Sequence, residues 1–312
     1  MCCLLAISIA GTALAQKRIG RIITKKYVDR LIKTLSSDDM QGRATFTPGI
    51  DKAATFIEGE FKKIGLKPLP GATGFRQTFT VKKSDQPLFN VVGMIPGKSK
   101  AKEIVIFSGH YDHLGILKSQ DQDSIANGAD DDASGTTAMI ALAKYYKKQN
   151  NNERTLIFVA FTAEEIGGFG ARHFSSLLNP DDVVAMFNIE MIGKESKFGN
   201  NTAFITGFDK SDFGKILQKN LAGSQFTFYP DPYPQQNLFY RSDNATLAAL
   251  GVPAHTISTD QIDTDQLYHT VKDEYATLDI KNILSTIKSI AMSATTIVKG
   301  IDTPTRIPKL EK

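Results

Sequence analysis

Apolar positions along this chain first follow a helical period. Val28, Leu31, Ile32 and Leu35 predict a helix from about Thr24 to Leu35. Ala53, Phe56, Ile57, Phe61 and Ile64 predict a second from about Pro48 to Ile64, closed by Gly65. Two stretches, TFTV and FNVVGMI, then read as strands, and Pro96-Gly97 reads as a turn.

From residue 103 the pattern changes to an alternation. EIVIFSG (103–109) is a continuous apolar run, and ASGTTAMIALAKYYKKQ after it is helical. RTLIFVAF (154–161) is a strand, GARHFSSLL a helix and VVAMFNIE (183–190) a strand. NTAFITG, a helix around FGKILQKNL, the helix NATLAALG and the strand VPAHTIS continue the series, and a helix from about Asp279 to Val298 closes it. Apolar strands alternating with helices predict an α/β fold: a three-layer αβα arrangement, in one domain over 16–312, around a mixed, mostly parallel sheet. No internal repeat or low-complexity linker interrupts it.

Composition changes this picture little. The 312 residues carry 37 basic and 33 acidic side chains, without a basic block of the kind that binds nucleic acid or an anionic membrane. The uncharged start, MCCLLAISIAGTALA, ends in Ala13-Leu14-Ala15 and is too short to span a bilayer as a helix. It reads as a signal peptide, residues 1–15, which lacks the usual basic beginning and is expected to be truncated at its start. The expectation is an exported protein, periplasmic or secreted, with no stable membrane insertion once the leader is removed. Both cysteines lie in the leader, so the mature chain has neither a disulfide nor a thiolate ligand. Any metal must be held by His, Asp and Glu.

In parallel sheets ligands bind beyond the carboxyl ends of the strands. Here those ends carry His110-Tyr111-Asp112-His113, Glu164-Glu165 and Glu190. Between the first two lies Asp130-Asp131-Asp132, at the predicted start of a helix. A helix dipole stabilises each exposed charge by only ~0.3–1 kcal/mol. Two divalent cations offset the repulsion among three adjacent aspartates far better, and His with carboxylate suits zinc. On the residues alone either His110 or His113 could be a ligand, with Asp112 orienting the ring. Asp130 and Asp132 read as turn and N-cap residues, and His255, inside a strand, as a satisfied core histidine.

SGHYDHLG (108–115), GADDDASG (128–135), TAEEIG (162–167), NIEMIG (188–193) and LYHT (267–270) resemble, in order and spacing, the motifs of the M28 family of zinc metallopeptidases. The resemblance covers about residues 90 to 275, and MQGRATFTPGIDKAATFIEGEFKKIGLKPL is similar to the family's N-terminal part. It implies two zinc ions per chain. His110 and Glu190 would bind one, Glu165 and His269 the other, and Asp131 would bridge them. Glu164 would be the general base and Tyr268 an oxyanion donor. Arg241 would contact substrate, and Tyr240, with Phe239 and Tyr268, would line a side-chain pocket. Glu190 stands where the family more often has Asp, and Asn244 where it commonly has His.

The function this implies is an exported dizinc aminopeptidase acting on peptides. Two alternatives share the scaffold: a single-zinc glutaminyl cyclase, disfavoured by five apparent ligands and no tryptophan, and a carboxypeptidase or dipeptidase with the same ligand set. A binding domain without activity would be expected to have lost ligands.

Overall fold

Alternating apolar residues of the central strands feed two cores, one on each side of a single sheet. The structure is a computed structural model describing residues 18–310 apart from 83 and 121, so the leader at 1–15 lies outside the described residues. In β3 (Lys100–His110) Val105 and Phe107 enter one core and Ile106 the other. In β6 (Arg154–Phe161) Leu156, Phe158 and Ala160 face the first core, and Ile157, Val159 and Phe161 the second. An apolar run with both faces covered is what a buried parallel strand requires.

The sheet has eight strands. β6 and β3 run parallel with β7 (Val183–Ile189) and β10 (Ala254–Ser258) at its centre. On one side β2 (Ser84–Ile95) is antiparallel to β6, and β1 (Arg76–Val81) is antiparallel to β2. On the other, β8 (Thr202–Ile205) runs antiparallel to β10 and parallel to β9 (Thr227–Pro230). The expected mixed, mostly parallel sheet is therefore present.

Helices α1 (Lys25–Leu35), α2 (Pro48–Ile64), α3 (Ala133–Gln149), α5 (Phe213–Asn220) and α7 (Ile280–Ser293) cover the first core. Helices α4 (Phe169–Ser176) and α6 (Asn244–Ala249), with Ile307, cover the second. Among the described residues no helix is long and apolar enough to cross a membrane.

The expected helix over 279–298 is divided, because a short α8 (Thr295–Val298) follows a break at Ala294. The hydroxyls of Ser293 and Thr295 donate back to the carbonyls of Ile290 and Ala291, a local bond that competes with the helix ladder. A hairpin of β4 (Gly115–Gln120) and β5 (Asp123–Ala126) was not predicted, since its residues are too polar to make an apolar run.

Two buried side chains hold this frame near the strand ends. Gln41, Gly42 and Arg43 all take positive φ (52°, 63° and 50°), which turns Arg43 inward, where it is fully buried. Its guanidinium donates to the carbonyls of Tyr111 (2.8 Å), Leu35 (2.6 Å), Asn127 (2.5 Å) and Gly128 (2.9 Å). It thereby ties the segment before α2 to the loops that follow β3 and precede Asp131. Arg43→Met leaves four carbonyls without their donor. Urea denaturation should show a loss of about 3–5 kcal/mol; a loss under about 1 kcal/mol would refute this role.

His255 on β10 is the satisfied core histidine expected. Its Nδ1 faces the Thr206 carbonyl at 2.8 Å, its Nε2 faces the Ser211 hydroxyl at 2.8 Å, and it stacks on Phe213. Nδ1–H donating to Thr206 while Ser211 donates to Nε2 fits a neutral ring. Burial lowers its pKa from 6.5 to about 4. A depressed imidazole gives stability that is complete above pH 6.5 and lost as pH falls toward 4. About 2.5 units at 1.36 kcal/mol each make that loss about 3 kcal/mol. An NMR titration should show the His255 ring signals moving only near pH 4; movement near 6.5 would contradict it.

Candidate metal centre

Parallel pairing brings three strand ends to one edge of the sheet. His110 is in register with Phe161, and Ser108 with Asn188, so His110, Glu164-Glu165 and Glu190 emerge together. Helix α3 points its N-terminus at the same edge. Asp132 is its N-cap: one carboxylate oxygen accepts the N–H groups of Gly135 (2.9 Å) and Met191 (3.1 Å), the other that of His110 (3.1 Å). A side chain on Gly135 would reach within 2.0 Å of the Ile189 carbonyl, so glycine is what lets the helix start against β7. Gly128, at φ +53°, lies where a Cβ would fall 2.2 Å from the Asp131 carbonyl and 2.5 Å from the His113 ring.

The three adjacent aspartates point to different partners. Asp130 accepts the Gly193 N–H at 2.7 Å and pins the loop after β7. Asp132 caps α3. Only Asp131 meets the histidines: its oxygens lie 3.1 Å from His110 Nε2, 3.3 Å from His269 Nε2 and 3.6 Å from His113 Nδ1. The peptide bond between Asp131 and Asp132 is cis. Asp273 fixes this turn by accepting the N–H groups of Asp130 (2.9 Å) and Asp131 (3.0 Å).

Two groups of metal-ligating side chains share Asp131. One is His110, Asp131 and Glu190; the other is His113, Asp131 and Glu165. His269 belongs with the second, since its Nε2 is 3.0 Å from Glu165 Oε2. His113, left as an alternative to His110 in the sequence, sits beside it instead, with Nδ1 2.7 Å from Glu165 Oε1. Asp112 contacts His110 Nδ1 through its backbone carbonyl (3.2 Å), with its carboxylate at 3.7 Å. That carboxylate accepts the N–H groups of Glu164 (3.1 Å) and Glu165 (3.3 Å) and so positions both glutamates.

The chemistry of this donor set fits divalent cations. The Nε2 atoms of His110, His113 and His269 and Oε2 of Glu190 are buried without a hydrogen-bond partner among the described residues. Buried polar atoms are rarely left so. The carboxylates draw protons onto the imidazoles. His269 is raised to about 10 by Asp131 and Glu165. Burial favours a neutral His110, yet Asp112 and Asp131 raise it well above its ordinary value. Asp131, although buried, is held well below the usual carboxylate range by His110 and His269. Burial pushes Glu190 up. Such a cluster calls for positive charge, and metal ions on the orphaned atoms would supply it in place of protons.

A cavity of about 310 Å³ opens on this centre. Glu164, Tyr268 and Arg241 line it with Asp131, Glu165, Glu190 and His269. Tyr268 stacks on the His269 ring at 3.8 Å, and burial raises its phenol so that it stays a donor. The sequence placed Tyr240 and Phe239 in the side-chain pocket. Instead both pack with the second core, and Met191, Phe204, Leu238 and Ile262 supply the cavity's apolar wall. The cause is local: Phe239 is drawn under Gly207 and toward His255, at 5.6 Å between rings. Asn244 bonds the carbonyls of Phe239 and Ala254 and is a structural knot.

The profile of peptidase family M28 matches residues 90–294. A probable zinc metalloprotease of Leptosphaeria maculans is 28% identical over 195 residues, covering 59% of this chain and 42% of the relative. Leucine aminopeptidase 1 of Ajellomyces capsulatus is 27% identical over 235 residues, covering 70% and 57%. The chain thus spans about half the length of these curated relatives. Among solved structures, a zinc aminopeptidase from Bacillus subtilis superposes with a TM-score of 0.71 at 15% identity, covering 93% of this chain and 99% of that one. The glutaminyl cyclase of Porphyromonas gingivalis does so at 0.69 and 15%, covering 89% and 99%. The fold is shared by both and does not separate their chemistries.

Proposed function

The chain belongs to peptidase family M28, and from that premise we propose that it is an exported dizinc aminopeptidase that removes N-terminal residues from peptides. The single observation that carries the reading is a buried carboxylate, Asp131, shared by two ligand groups, with the Nε2 atoms of His110, His113 and His269 left without a hydrogen-bond partner among the described residues. His110, Asp131 and Glu190 would hold one zinc; Asp131, Glu165 and His269 the other, with His113 against Glu165. Export rests on the uncharged leader at 1–15.

Bound there, two zinc ions would polarise the scissile carbonyl and acidify the attacking water. The chain's own residues do the rest. Glu164 differs from its neighbour: Glu165 is engaged by His113 and His269, whereas no protein donor holds the Glu164 carboxylate among the described residues. Glu164 takes the proton from water and delivers it to the leaving amine. The Tyr268 hydroxyl donates to the carbonyl oxygen as negative charge builds on it. The free α-amine of the substrate is held beside the carboxylates of the centre, which selects an exopeptidase substrate.

The test pairs elemental analysis of the zinc-reconstituted chain with release of nitroaniline from aminoacyl-nitroanilides. Two zinc ions per chain and amine-dependent release are expected. At most one zinc, together with cyclisation of N-terminal glutamine, would replace this reading with the cyclase.

A further inference from the structure

The cavity that opens on the metal centre has one wall the reaction does not use. Thr256 and Ser258 of β10 face it, as alternate residues of a strand do, and Asp260 continues their row just past the strand end. The backbone there is fixed: Thr259 N–H donates to Met191 at 3.1 Å, and Asp260 N–H to the Ser258 hydroxyl at 3.2 Å. Met191, Phe204 and Ile262 supply apolar surface to the same cavity.

Asp260 is only 3% exposed, yet neither carboxylate oxygen accepts an N–H among the described residues; its side-chain partner is another acid, the carboxyl of Asp265. The other buried carboxylates beside the centre, Asp112, Asp130, Asp132 and Asp273, each accept at least one N–H. Asp243 also accepts none but does not line the cavity. Among the described residues Lys194 is the cation whose charge reaches Asp260, and it is shared. Lys194 is held by Asp265 at 2.5 Å and lies 3.6 Å from Asp130, and Arg241 bonds Gln236 at 3.4 Å on the exposed side. Three acids, Asp130, Asp260 and Asp265, thus share one ammonium, and a buried carboxylate that is not fully paired is costly. A cation carried in by the ligand would satisfy it.

We propose that Asp260 is the specificity-determining residue of this cavity and selects peptides whose first residue has a cationic side chain, lysine or arginine. This rests on the aminopeptidase reading above and names its substrate class. The apolar residues suit the methylene stem of such a side chain, which packs along apolar surface while its charged end seeks a polar partner. Burial, with Asp130 and Asp265 close by, pushes the Asp260 carboxyl up to about 8; an incoming ammonium or guanidinium offsets that crowding, and a neutral side chain does not.

The experiment compares lysine with norleucine, which has the same stem without the charge. On the zinc-loaded full chain, kcat/KM is measured for the two aminoacyl-nitroanilides, and calorimetry gives Kd for L-lysinamide and L-norleucinamide. Lysine should be preferred by about 10–100-fold in both, the range of a charge-assisted hydrogen bond. In Asp260→Asn the lysine-to-norleucine ratio should fall at least tenfold. A wild type that treats the two alike overturns the proposal, as does a variant in which both weaken together and the ratio persists, because Asp260 would then serve the α-amine or the fold. If Asp260→Asn does not fold, the wild-type comparison decides alone. Preferential binding of lysinamide without turnover of any nitroanilide would support Asp260 and refute the peptidase reading, so the two fail separately.

Discussion

Glu164→Gln should lower kcat by about 10²–10⁴-fold while KM and metal content stay near wild type. The glutamine keeps the shape and hydrogen-bonding capacity of the side chain but cannot accept a proton. The backbone of residue 164 is set by its N–H bond to Asp112, which the substitution leaves intact. Burial, and then the charges of Glu190, Asp243 and Asp112 against that of His110, push the Glu164 carboxyl well above its ordinary value. Cations held in the centre would oppose this rise. Glu165→Gln should behave differently. Its carboxylate is 2.7 Å from His113 and 3.0 Å from His269, so its loss should lower metal occupancy first and activity as a consequence. Steady-state kinetics and metal analysis on both variants separate the roles. Loss of metal from Glu164→Gln with retention in Glu165→Gln would mean the two are exchanged, and full activity of metal-loaded Glu164→Gln would end the mechanism.

The sequence carried the parts of this centre that depend on local pattern. Apolar runs located the central strands, and strand ends located His110, Glu164, Glu165 and Glu190, because a parallel sheet puts all its carboxyl ends on one edge. Asp132 was legible as an N-cap because capping is a local rule. What depends on distant backbone was not legible. Arg43 is one arginine in a polar stretch; its importance comes from three consecutive positive φ values and from carbonyls as far away as Gly128. Asp273 reaches Asp130 across 143 residues. Asp260 is an isolated acid in a loop, and only its burial on the cavity wall distinguishes it from Asp263, which is exposed. Side-chain direction was the other limit: Phe239 and Tyr240 had the right chemistry for a pocket wall, and the chain turns them into the second core.

The remaining large effect concerns Asp131. Asp131→Asn should weaken both metal sites together, by at least about 10²-fold each. Loss of a partner one layer further out already costs 10–100-fold in metal affinity, and Asp131 would touch both ions directly. Asparagine preserves the backbone, which Asp273 holds through the N–H of residue 131, so the variant should still fold. Asp130→Asn is the control. Asp130 faces Gly193 and Lys194 rather than the histidines, and an amide oxygen can still accept the Gly193 N–H. Its metal content should match wild type. Thermal denaturation with and without zinc gives a readout independent of turnover. A ligand that binds only the folded chain raises Tm in proportion to the logarithm of its concentration over Kd. That rise should vanish in Asp131→Asn and persist in Asp130→Asn. If Asp131→Asn loses one ion and keeps the other, the carboxylate is not shared and the centre consists of two separate sites. If Asp130→Asn is the variant stripped of metal, the ligand within the triple aspartate is one residue earlier than the geometry here assigns.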